Sequence, residues 1–500
     1  MLLEGTFPYV TGGVSSCVYQ LIKETPQINY TIIYIGAMPE FDRQYKYPIP
    51  DNVQMIKEVF LYDYKIEAIE RLVDVPLDKS ELLEFHQGLM KGDVASFEKI
   101  YHKYFSVHRI IEDPMQILQS KQAYEFLHEF YSSKFTPDNA VSFIDYFYTW
   151  RFSHYPIFKL IMEDIPHASL YHALCTGYAG LLGSMAKIKY NSPFVLTEHG
   201  IYINEREIEI SQADWVLNVD RDLRATQKKS TFKNWWIRVF RFMSQMAYEK
   251  ADRITTLYDG NVKKQLIYGA DIKKIQIIPN GIKWDKYRTI VKHVYDIKAP
   301  IIGMVGRVVP IKDLKTFIKS LRVVKQSFPN FIGYIMGPTD EDMAYYEDCE
   351  RLVQFYELKN NVIFTGKVQV MEYYGKIDIL ALSSISEGQP MVLLEAMAAG
   401  IPCMATDVGS CKELLYGRDW EDQQLGKCGE IVPFGNAQIY GDQLVAMLKD
   451  TKALAKMGDV GIIRTQKLYQ ERTTVNSYLN VYFDFLSSKD QLSGGDWVST

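Results

Sequence analysis

The stretch 377–405 constrains the fold of this 500-residue chain more than any other. Apolar runs at both ends flank a segment bounded by Pro390 and Gly400, which predicts a strand, a loop, a helix over about 390–399 and a second strand. Proline suits the first position of a helix, and glycine suits the left-handed residue just past its end. Such a unit connects two parallel strands through a helix, so the sequence predicts an α/β fold.

The loop that leaves the first of these strands carries groups suited to a nucleotide sugar. Backbone N–H groups at a helix N-terminus attract phosphate, and Gly388 lets a ligand approach the backbone closely. Glu387 in the loop and Glu395 in the helix are expected to hold their carboxylates roughly 10 Å apart, about the separation of a sugar and a ribose across a pyrophosphate. Carboxylates accept hydrogen bonds from hydroxyl groups, which favours a nucleotide sugar. Glu395 equally fits a surface position on a core helix.

This stretch resembles the donor site of the family 4 retaining glycosyltransferases, which have the GT-B fold. The similarity consists of Glu387 and Glu395 with seven residues between them, followed by the sequence AMAAGIP over 396–402. More narrowly, 406–414 (TDVGSCKEL) and 197–202 (TEHGIY) are similar to the cytosolic glycosyltransferases of Pel exopolysaccharide synthesis. The resemblance covers nearly the whole chain. It implies two Rossmann-like domains that face each other across a cleft.

Length and pattern suggest how the domains divide the chain. Five hundred residues exceed what one core holds, and 47% apolar with 23% charged residues is ordinary for a globular protein. Together with the resemblance, the pattern predicts an N-terminal Rossmann-like, acceptor-side domain over 1–285, with a helical insertion at about 60–158. A C-terminal Rossmann-like domain over 286–470 is expected to bind the donor. A C-terminal helix over 471–486 then crosses back to the first domain, and a polar tail follows over 487–500.

Charge and cysteine content exclude several classes of protein. A net charge of −5 argues against a nucleic-acid surface, and the six cysteines show neither close pairs nor a zinc-ligand spacing. The sequence shows no signal peptide and no run of apolar residues long enough to span a membrane. We therefore expect a cytoplasmic protein with reduced thiols, and peripheral attachment at the inner membrane through partners stays open.

Two cations follow the strand predicted at 301–305. Arg307 and Lys312 lie in one loop at the carboxyl end of that strand, where ligands of open α/β sheets bind. Basic residues are mostly solvated surface residues. In the family that the chain resembles, however, an arginine and a lysine in this loop hold the donor diphosphate. The resemblance therefore implies that both cations stabilise the charge on the leaving diphosphate.

The resemblance implies further roles beside other predicted strand ends. A double glycine after the first strand lies beside the donor in the family, although a glycine pair also forms plain turns. His199, at the end of the strand 192–197, would contact the donor sugar, although a lone histidine is ordinarily structural. The predicted catalytic set is His199, Arg307, Lys312 and Glu387. The predicted donor-binding set is Gly12, Gly13, Arg307, Lys312, Lys367, Val368, Glu387, Gly388, Gln389, Pro390 and Glu395.

The resemblance also implies the reaction. It is retaining transfer of glucose from UDP-glucose to a growing Pel-type exopolysaccharide acceptor, without a metal or another cofactor, beside an inner-membrane Pel export complex as a partner. The alternatives are a nucleotide-sugar epimerase or hydrolase of the same fold, and a non-catalytic scaffold that binds nucleotide sugars in an export complex.

A metal-dependent transferase is the opposing prediction, and it depends on two Asp-x-Asp tripeptides. Residues 220–222 follow an apolar run that begins at 214, and residues 340–342 provide a second match. Two such carboxylates are typical ligands of Mg²⁺ or Mn²⁺. Tripeptides of this kind are common by chance, and no further ligand accompanies either one, so we expect no metal site.

Overall fold

The computed structural model describes residues 1–40, 42–63, 76–106, 111–135, 141–212, 225–290 and 298–490. The chain divides by its internal contacts into two compact units. The first comprises Met1–Thr256, Val262–Gln276 and Leu479–Thr500, and the second comprises Leu257–Asn261 and Ile277–Tyr478. The contacts thus divide the chain after Gln276, and the boundary predicted from the sequence follows at 285.

The first unit is built on a sheet whose described strands have the order β3-β2-β1-β4-β5-β6-β7. Its strand pairs from β3 to β6 are parallel. The strands are β1 (Leu2–Glu4), β2 (Tyr30–Gly36), β3 (Val53–Phe60), β4 (Tyr171–Ala173), β5 (Phe194–Glu198), β6 (Arg253–Thr256) and β7 (Ile275–Ile277). The order reverses between β1 and β4, and we call this the first switch point.

Helices cover this sheet, and some of them form the insertion that was predicted at about 60–158. They are α1 (Gly13–Lys23), α2 (Lys79–Lys91), α3 (Val94–Tyr101), α4 (Pro114–Leu118), α5 (Lys121–Lys134), α6 (Phe143–Met162), α7 (Tyr178–Tyr190), α8 (Tyr202–Gln212), α9 (Ala225–Lys250) and α10 (Asp259–Ile267). Helices α2 to α6 lie between β3 and β4, so the helical insertion is confirmed. Asp78, Asp93 and Ser120 start three of them by accepting hydrogen bonds from backbone N–H groups. Aromatic side chains of the insertion, such as Phe85, Phe126 and Trp150, belong to the buried core.

The second unit contains a parallel sheet with the order β10-β9-β8-β11-β12-β13 among the described residues. Its strands are β8 (Ile301–Val305), β9 (Ile332–Met336), β10 (Val362–Gly366), β11 (Ile379–Leu382), β12 (Cys403–Thr406) and β13 (Gly429–Val432). Strand β11 is wholly buried, as expected where helices cover both faces of a parallel sheet. The order reverses between β8 and β11, and we call this the second switch point.

Helices alternate with the strands of the second unit. They are α11 (Trp284–Tyr287), α12 (Leu314–Ser327), α13 (Met343–Phe355), α14 (Met371–Tyr374), α15 (Met391–Ala398), α16 (Cys411–Tyr416), α17 (Trp420–Gln423), α18 (Ala437–Lys449), α19 (Thr451–Leu468) and α20 (Glu471–Asp490). Gly400 has the predicted left-handed conformation after α15, with φ +70°. The N–H of Ile401 then donates to the Ala396 carbonyl over 2.8 Å, which closes the helix end.

The last helix, α20, continues from one unit into the other. Its residues up to Tyr478 belong to the second unit, and those from Leu479 onwards belong to the first. The six cysteines all lie in the described part of the chain, and none of them forms a disulfide there. No helix in the described part of the chain is both long and apolar enough to cross a membrane.

Candidate functional site

The loop after β11 is tied to the turn after β8. The Ser383 hydroxyl donates to the carbonyl oxygens of Lys312 and Asp313 over 2.9 and 3.0 Å. The N–H of Ile385 donates to the Ile311 carbonyl over 2.9 Å. Because β8 and β11 are adjacent parallel strands, their carboxyl ends meet at one edge of the sheet. The structure therefore brings together two loops that the sequence analysis placed in one site.

Lys312 and Glu387 form an ion pair at the second switch point. Lys312 Nζ lies 2.6 Å from Glu387 Oε1, and the Ser384 hydroxyl donates to the same oxygen over 2.6 Å. The two charged side chains are only 21% and 13% exposed, so solvent screens them less than a surface pair. One ligand at this point meets a cation suited to phosphate and a carboxylate suited to hydroxyl groups.

Gly409 allows a second backbone segment to pack against the Glu387 loop. Its φ is +55°, and a Cβ there would lie 2.2 Å from the Glu387 carbonyl oxygen and 2.5 Å from that of Gly388. The N–H of Ser410 donates to the Gly388 carbonyl over 2.9 Å. The TDVGS segment thus packs directly against the predicted donor loop. A glycine is required at 409 because the φ is positive and a side chain would clash with that loop.

The N-terminus of α15 faces the same loop. Pro390 is the N-cap, and no side chain of the described residues caps this helix with a hydrogen bond. The preceding Gln389 is buried, and its amide is bonded at both ends to the backbone of Asn280. Its oxygen accepts from the Asn280 N–H over 2.7 Å, and its nitrogen donates to the Asn280 carbonyl over 3.2 Å. Gln389 therefore braces the turn after β7, and contact of this residue with a donor stays a prediction.

Two tyrosines that the sequence did not indicate lie near Glu395. The Tyr374 hydroxyl donates to Glu395 Oε2 over 2.8 Å, and the ring of Tyr287 lies beside that of Tyr374, with the centroids 6.2 Å apart. Burial raises the pKa of Glu395, whereas the two phenols favour its charged form. The tyrosines end α14 and α11, far from Glu395 in sequence, so no local pattern indicated them.

Arg307 has a different environment from Lys312. Its guanidinium forms an ion pair with Glu341 at the surface, and the two side chains are 56% and 46% exposed. Lys312 is 21% exposed and bonds to Glu387. The two cations predicted to share one role thus belong to one loop but have separate partners.

The remaining predicted donor residues of the second unit lie beside β10. Gly366 ends this strand with φ +65°, and Lys367 and Val368 follow it. Lys367 is exposed, whereas Val368 packs partly against the core. The carbonyl of Gly366 accepts from the Gly337 N–H over 3.0 Å, so this turn is tied to the end of β9.

The two Asp-x-Asp tripeptides differ in what the structure describes. Residues 220–222 lie outside the described residues. In the other tripeptide, Asp342 caps α13 by accepting from the Tyr345 N–H over 3.0 Å, and Glu341 binds Arg307. Among the described residues, no group of three or more His, Cys, Asp or Glu side chains is arranged to hold a metal. Metal independence stays a prediction.

The predicted site residues of the first unit follow β1 and β5. Gly12 and Gly13 start α1 and are exposed, and a Cβ on either would meet no atom within 4 Å. Packing within the described protein therefore does not require these glycines. His199 follows β5 and is half-buried, and burial lowers its pKa to about 4. It is therefore neutral at pH 7.

A buried carboxylate holds the turn that carries His199. Glu198 is fully buried and accepts hydrogen bonds from the Tyr248 hydroxyl at 2.6 Å, the Gln265 amide at 2.9 Å and the Tyr202 N–H at 3.1 Å. Burial raises its pKa, while these hydrogen bonds lower it. The sequence indicated no role for Glu198, since these three partners lie on the separate helices α8, α9 and α10.

The first switch point is filled by the carboxylate of Glu4. One of its oxygens accepts from the N–H groups of Tyr178 and Ala179 over 2.7 and 3.4 Å, at the start of α7. The Tyr202 hydroxyl donates to the other oxygen over 2.7 Å. The positive end of α7 thus already holds an anionic group of the chain itself.

Two family matches together span most of the chain. Residues 1–273 match the family described as "Domain of unknown function (DUF3492)". Residues 286–463 match "Glycosyl transferases group 1". The chain belongs to the DUF3492 family and carries a glycosyltransferase group 1 domain. The second match contains the loops of the second switch point, from Arg307 to Glu395.

Individual proteins are similar to the chain over different lengths. N-acetyl-alpha-D-glucosaminyl L-malate synthase of Bacillus anthracis is 31% identical over 137 residues, which are 27% of this chain and 34% of that protein. The chain thus spans about a third of the length of this curated relative.

Solved structures share the fold over almost the full length. Sucrose-phosphate synthase of Thermosynechococcus elongatus has a TM-score of 0.57 at 16% identity, covering 97% of this chain and 98% of that one. Anabaena Alr3699/HepE in complex with UDP and glucose has a TM-score of 0.55 at 13% identity, covering 96% and 99%. Together with the two parallel sheets, these matches confirm the predicted GT-B fold.

Proposed function

We propose that this chain is a retaining glycosyltransferase that moves a sugar from a nucleoside diphosphate sugar to a polysaccharide acceptor. The observation that carries the proposal is the contact between Lys312 and Glu387, 2.6 Å apart at the second switch point. Lys312 binds the diphosphate, and Glu387 accepts hydrogen bonds from hydroxyl groups of the donor sugar. The group 1 glycosyltransferase match over this unit supports the same assignment.

The proposed donor is UDP-glucose. A structural neighbour from Anabaena was solved with UDP-glucose, and the same protein with UDP and glucose. In this chain Glu395 accepts hydrogen bonds from the ribose, and the backbone at Lys367 and Val368 holds the base. Gly388 and Pro390 bring the N-terminus of α15 to the diphosphate.

The proposed mechanism depends on fixed positive groups and not on a metal. The difficult step is the departure of UDP from the anomeric carbon, so groups aimed at the developing negative charge lower the barrier most. Lys312, Arg307 and the N–H groups at the start of α15 supply them. The acceptor hydroxyl attacks on the face that UDP leaves and gives its proton to the departing diphosphate oxygen. The anomeric configuration is thereby retained. The proposed roles of His199 and of the glycine pair at 12 and 13 in donor binding depend on the family resemblance of these positions.

The proposed acceptor is a growing exopolysaccharide of the Pel type. The similarity of 406–414 and 197–202 to PelF, the glycosyltransferase of Pel synthesis, motivates this narrower assignment. The chain then works in the cytoplasm, beside the inner-membrane complex that exports the polymer.

Calorimetry against a panel of nucleoside diphosphates and their sugars tests the donor. We expect UDP and UDP-glucose to bind and Lys312→Ala to weaken both, whereas Lys315→Ala serves as the matched control. Lys315 forms an ion pair of the same 2.6 Å length with Asp348, on α12 and α13. NMR of the product then gives the anomeric configuration. Sugar release or isomerisation without an acceptor would instead indicate a hydrolase or an epimerase, and donor binding without any turnover would indicate a scaffold.

A further inference from the structure

Two buried tyrosines converge on Glu395 from separate helices. Tyr374, the last residue of α14, is fully buried, and Tyr287, the last residue of α11, is 8% exposed. Their ring centroids lie 6.2 Å apart. The Tyr374 hydroxyl donates to Glu395 Oε2 over 2.8 Å, and burial together with the nearby Glu395 carboxylate raises the pKa of the Tyr287 phenol. Neither tyrosine belongs to the motif that carries Glu395.

This arrangement holds the carboxylate in one orientation. A half-buried carboxylate needs hydrogen-bond donors, because burial without them disfavours its charge. An ionised carboxylate offers about four acceptor positions, so the hydrogen bond from Tyr374 leaves room for two further hydroxyl groups. Both phenols are fixed by packing, since their rings lie in the core beside α15. Glu395 is thus oriented before any ligand arrives, and a ligand does not have to bear the entropy cost of ordering it.

We propose that Tyr374 and Tyr287 are positioning residues that orient Glu395 toward the two hydroxyl groups of the donor ribose. This inference rests on the proposed function, in which Glu395 binds the ribose. It predicts that the tyrosines affect only ligands that carry those hydroxyl groups. A purely structural role predicts an equal effect on every nucleotide.

The test compares UDP with 2′,3′-dideoxyuridine 5′-diphosphate, which lacks both ribose hydroxyl groups. Calorimetry measures both affinities for the wild type, Tyr374→Phe and Tyr287→Phe. We expect Tyr374→Phe to weaken UDP by roughly 5- to 30-fold, the effect of a hydrogen bond to a charged group. The dideoxy compound should change by less than about twofold, since it makes no hydrogen bond with Glu395.

Tyr416→Phe is the matched control. The Tyr416 hydroxyl donates to Glu430 Oε2 over 2.9 Å, which makes it another tyrosine–glutamate pair of the same unit, next to the outer strand β13. This variant should leave both affinities unchanged. Thermal unfolding checks that each variant folds. If Tyr374→Phe does not fold, Tyr287→Phe provides the same comparison.

Three results would overturn the inference. Equal weakening of both ligands would make the tyrosines structural, and unchanged UDP affinity in both variants would remove their role at Glu395. In either case UDP still binds the wild type, so the proposed donor stands. If the wild type binds no UDP, the proposed function fails and the positioning role fails with it.

Discussion

In the first unit the strand order reverses between β1 and β4, and Glu4 lies there with its carboxylate on the N-terminus of α7. In the second unit the order reverses between β8 and β11, but Glu387 bonds to Lys312, and no described side chain caps α15. Both sheets therefore create a position suited to an anion, and the side chains decide its use. At α7 the protein fills that position itself, whereas at α15 the position suits a diphosphate.

The largest expected effect is that acid destabilises the first unit more than the second. Burial lowers the pKa of His172 on β4 and of His154 in the insertion to about 3, and the described part of the second unit contains no histidine. The unfolded state binds more protons once the pH falls below about 6.5, so stability is lost between about pH 6.5 and 3. At pH 4 each histidine should cost the first unit about 3 kcal/mol.

Hydrogen exchange resolved along the chain, at pH 7, 5.5 and 4.5, measures this difference. The first unit should lose protection at a higher pH than the second. His172→Gln should lessen the change, because a glutamine does not titrate. Equal loss of protection in the two units would contradict the prediction.

Replacement of Lys312 should have the next largest effect. Lys312→Ala removes a charge aimed at the leaving diphosphate, and we expect transfer to slow by about 100- to 1000-fold, or about 3–4 kcal/mol of barrier. Arg307→Ala should cost less, since Arg307 is more exposed and already pairs with Glu341. Initial rates of transfer with and without chelator measure both effects. If chelator abolishes wild-type transfer, manganese restores it and both variants stay near normal, then Asp220 and Asp222 become the better site.

Replacement of Glu395 should weaken binding of the nucleotide part of the donor, whereas replacement of Glu387 should weaken binding of its sugar part. Glu395→Ala should weaken UDP binding by about 1–3 kcal/mol, the loss expected for a charged hydrogen bond. Glu387→Ala should weaken UDP-sugar more than UDP, because it contacts the sugar. Calorimetry with both ligands measures the contrast. A folded Glu395→Ala variant with unchanged UDP affinity would exclude ribose binding by this residue.

The smallest expected effect concerns the first switch point. Glu4→Ala should lower the free energy of unfolding by about 1–2 kcal/mol, as expected for the loss of a helix cap. It also leaves the N-terminus of α7 open to an anion, so inorganic phosphate should stabilise this variant more than the wild type. Glu4→Gln is the control, since it keeps an acceptor at the helix start. Equal stabilisation of wild type and Glu4→Ala by phosphate would contradict the comparison.

The prediction of secondary structure failed where a strand is only partly buried. Strand β3 lies at the edge of the first sheet, and much of Val53–Phe60 is exposed or half-buried. It therefore lacks the continuous apolar run that a central parallel strand shows, and the sequence analysis assigned no strand there. The strand predicted at 301–305 is present as the central strand β8, which lies between β9 and β11.

The sequence by itself determined the elements whose rules are local. Pro390 and Gly400 bound α15 because proline and glycine restrict or extend the backbone at their own positions. The apolar residues of α12, such as Phe317 and Leu321, recur at helical spacing and form its buried face. The motif of Glu387 and Glu395 indicated the donor loop through its resemblance to a known family.

Only the tertiary structure decided which side chains meet. The contacts of Lys312 with Glu387, of Tyr374 with Glu395 and of Glu4 with α7 join residues far apart in the chain. The contacts of Lys312 and of Glu4 form because strand order brings separate loops or helix ends to one edge of a sheet, and sequence spacing carries no record of that order. A chain in which Lys312 faced solvent and Glu4 left α7 uncapped would show the same sequence pattern.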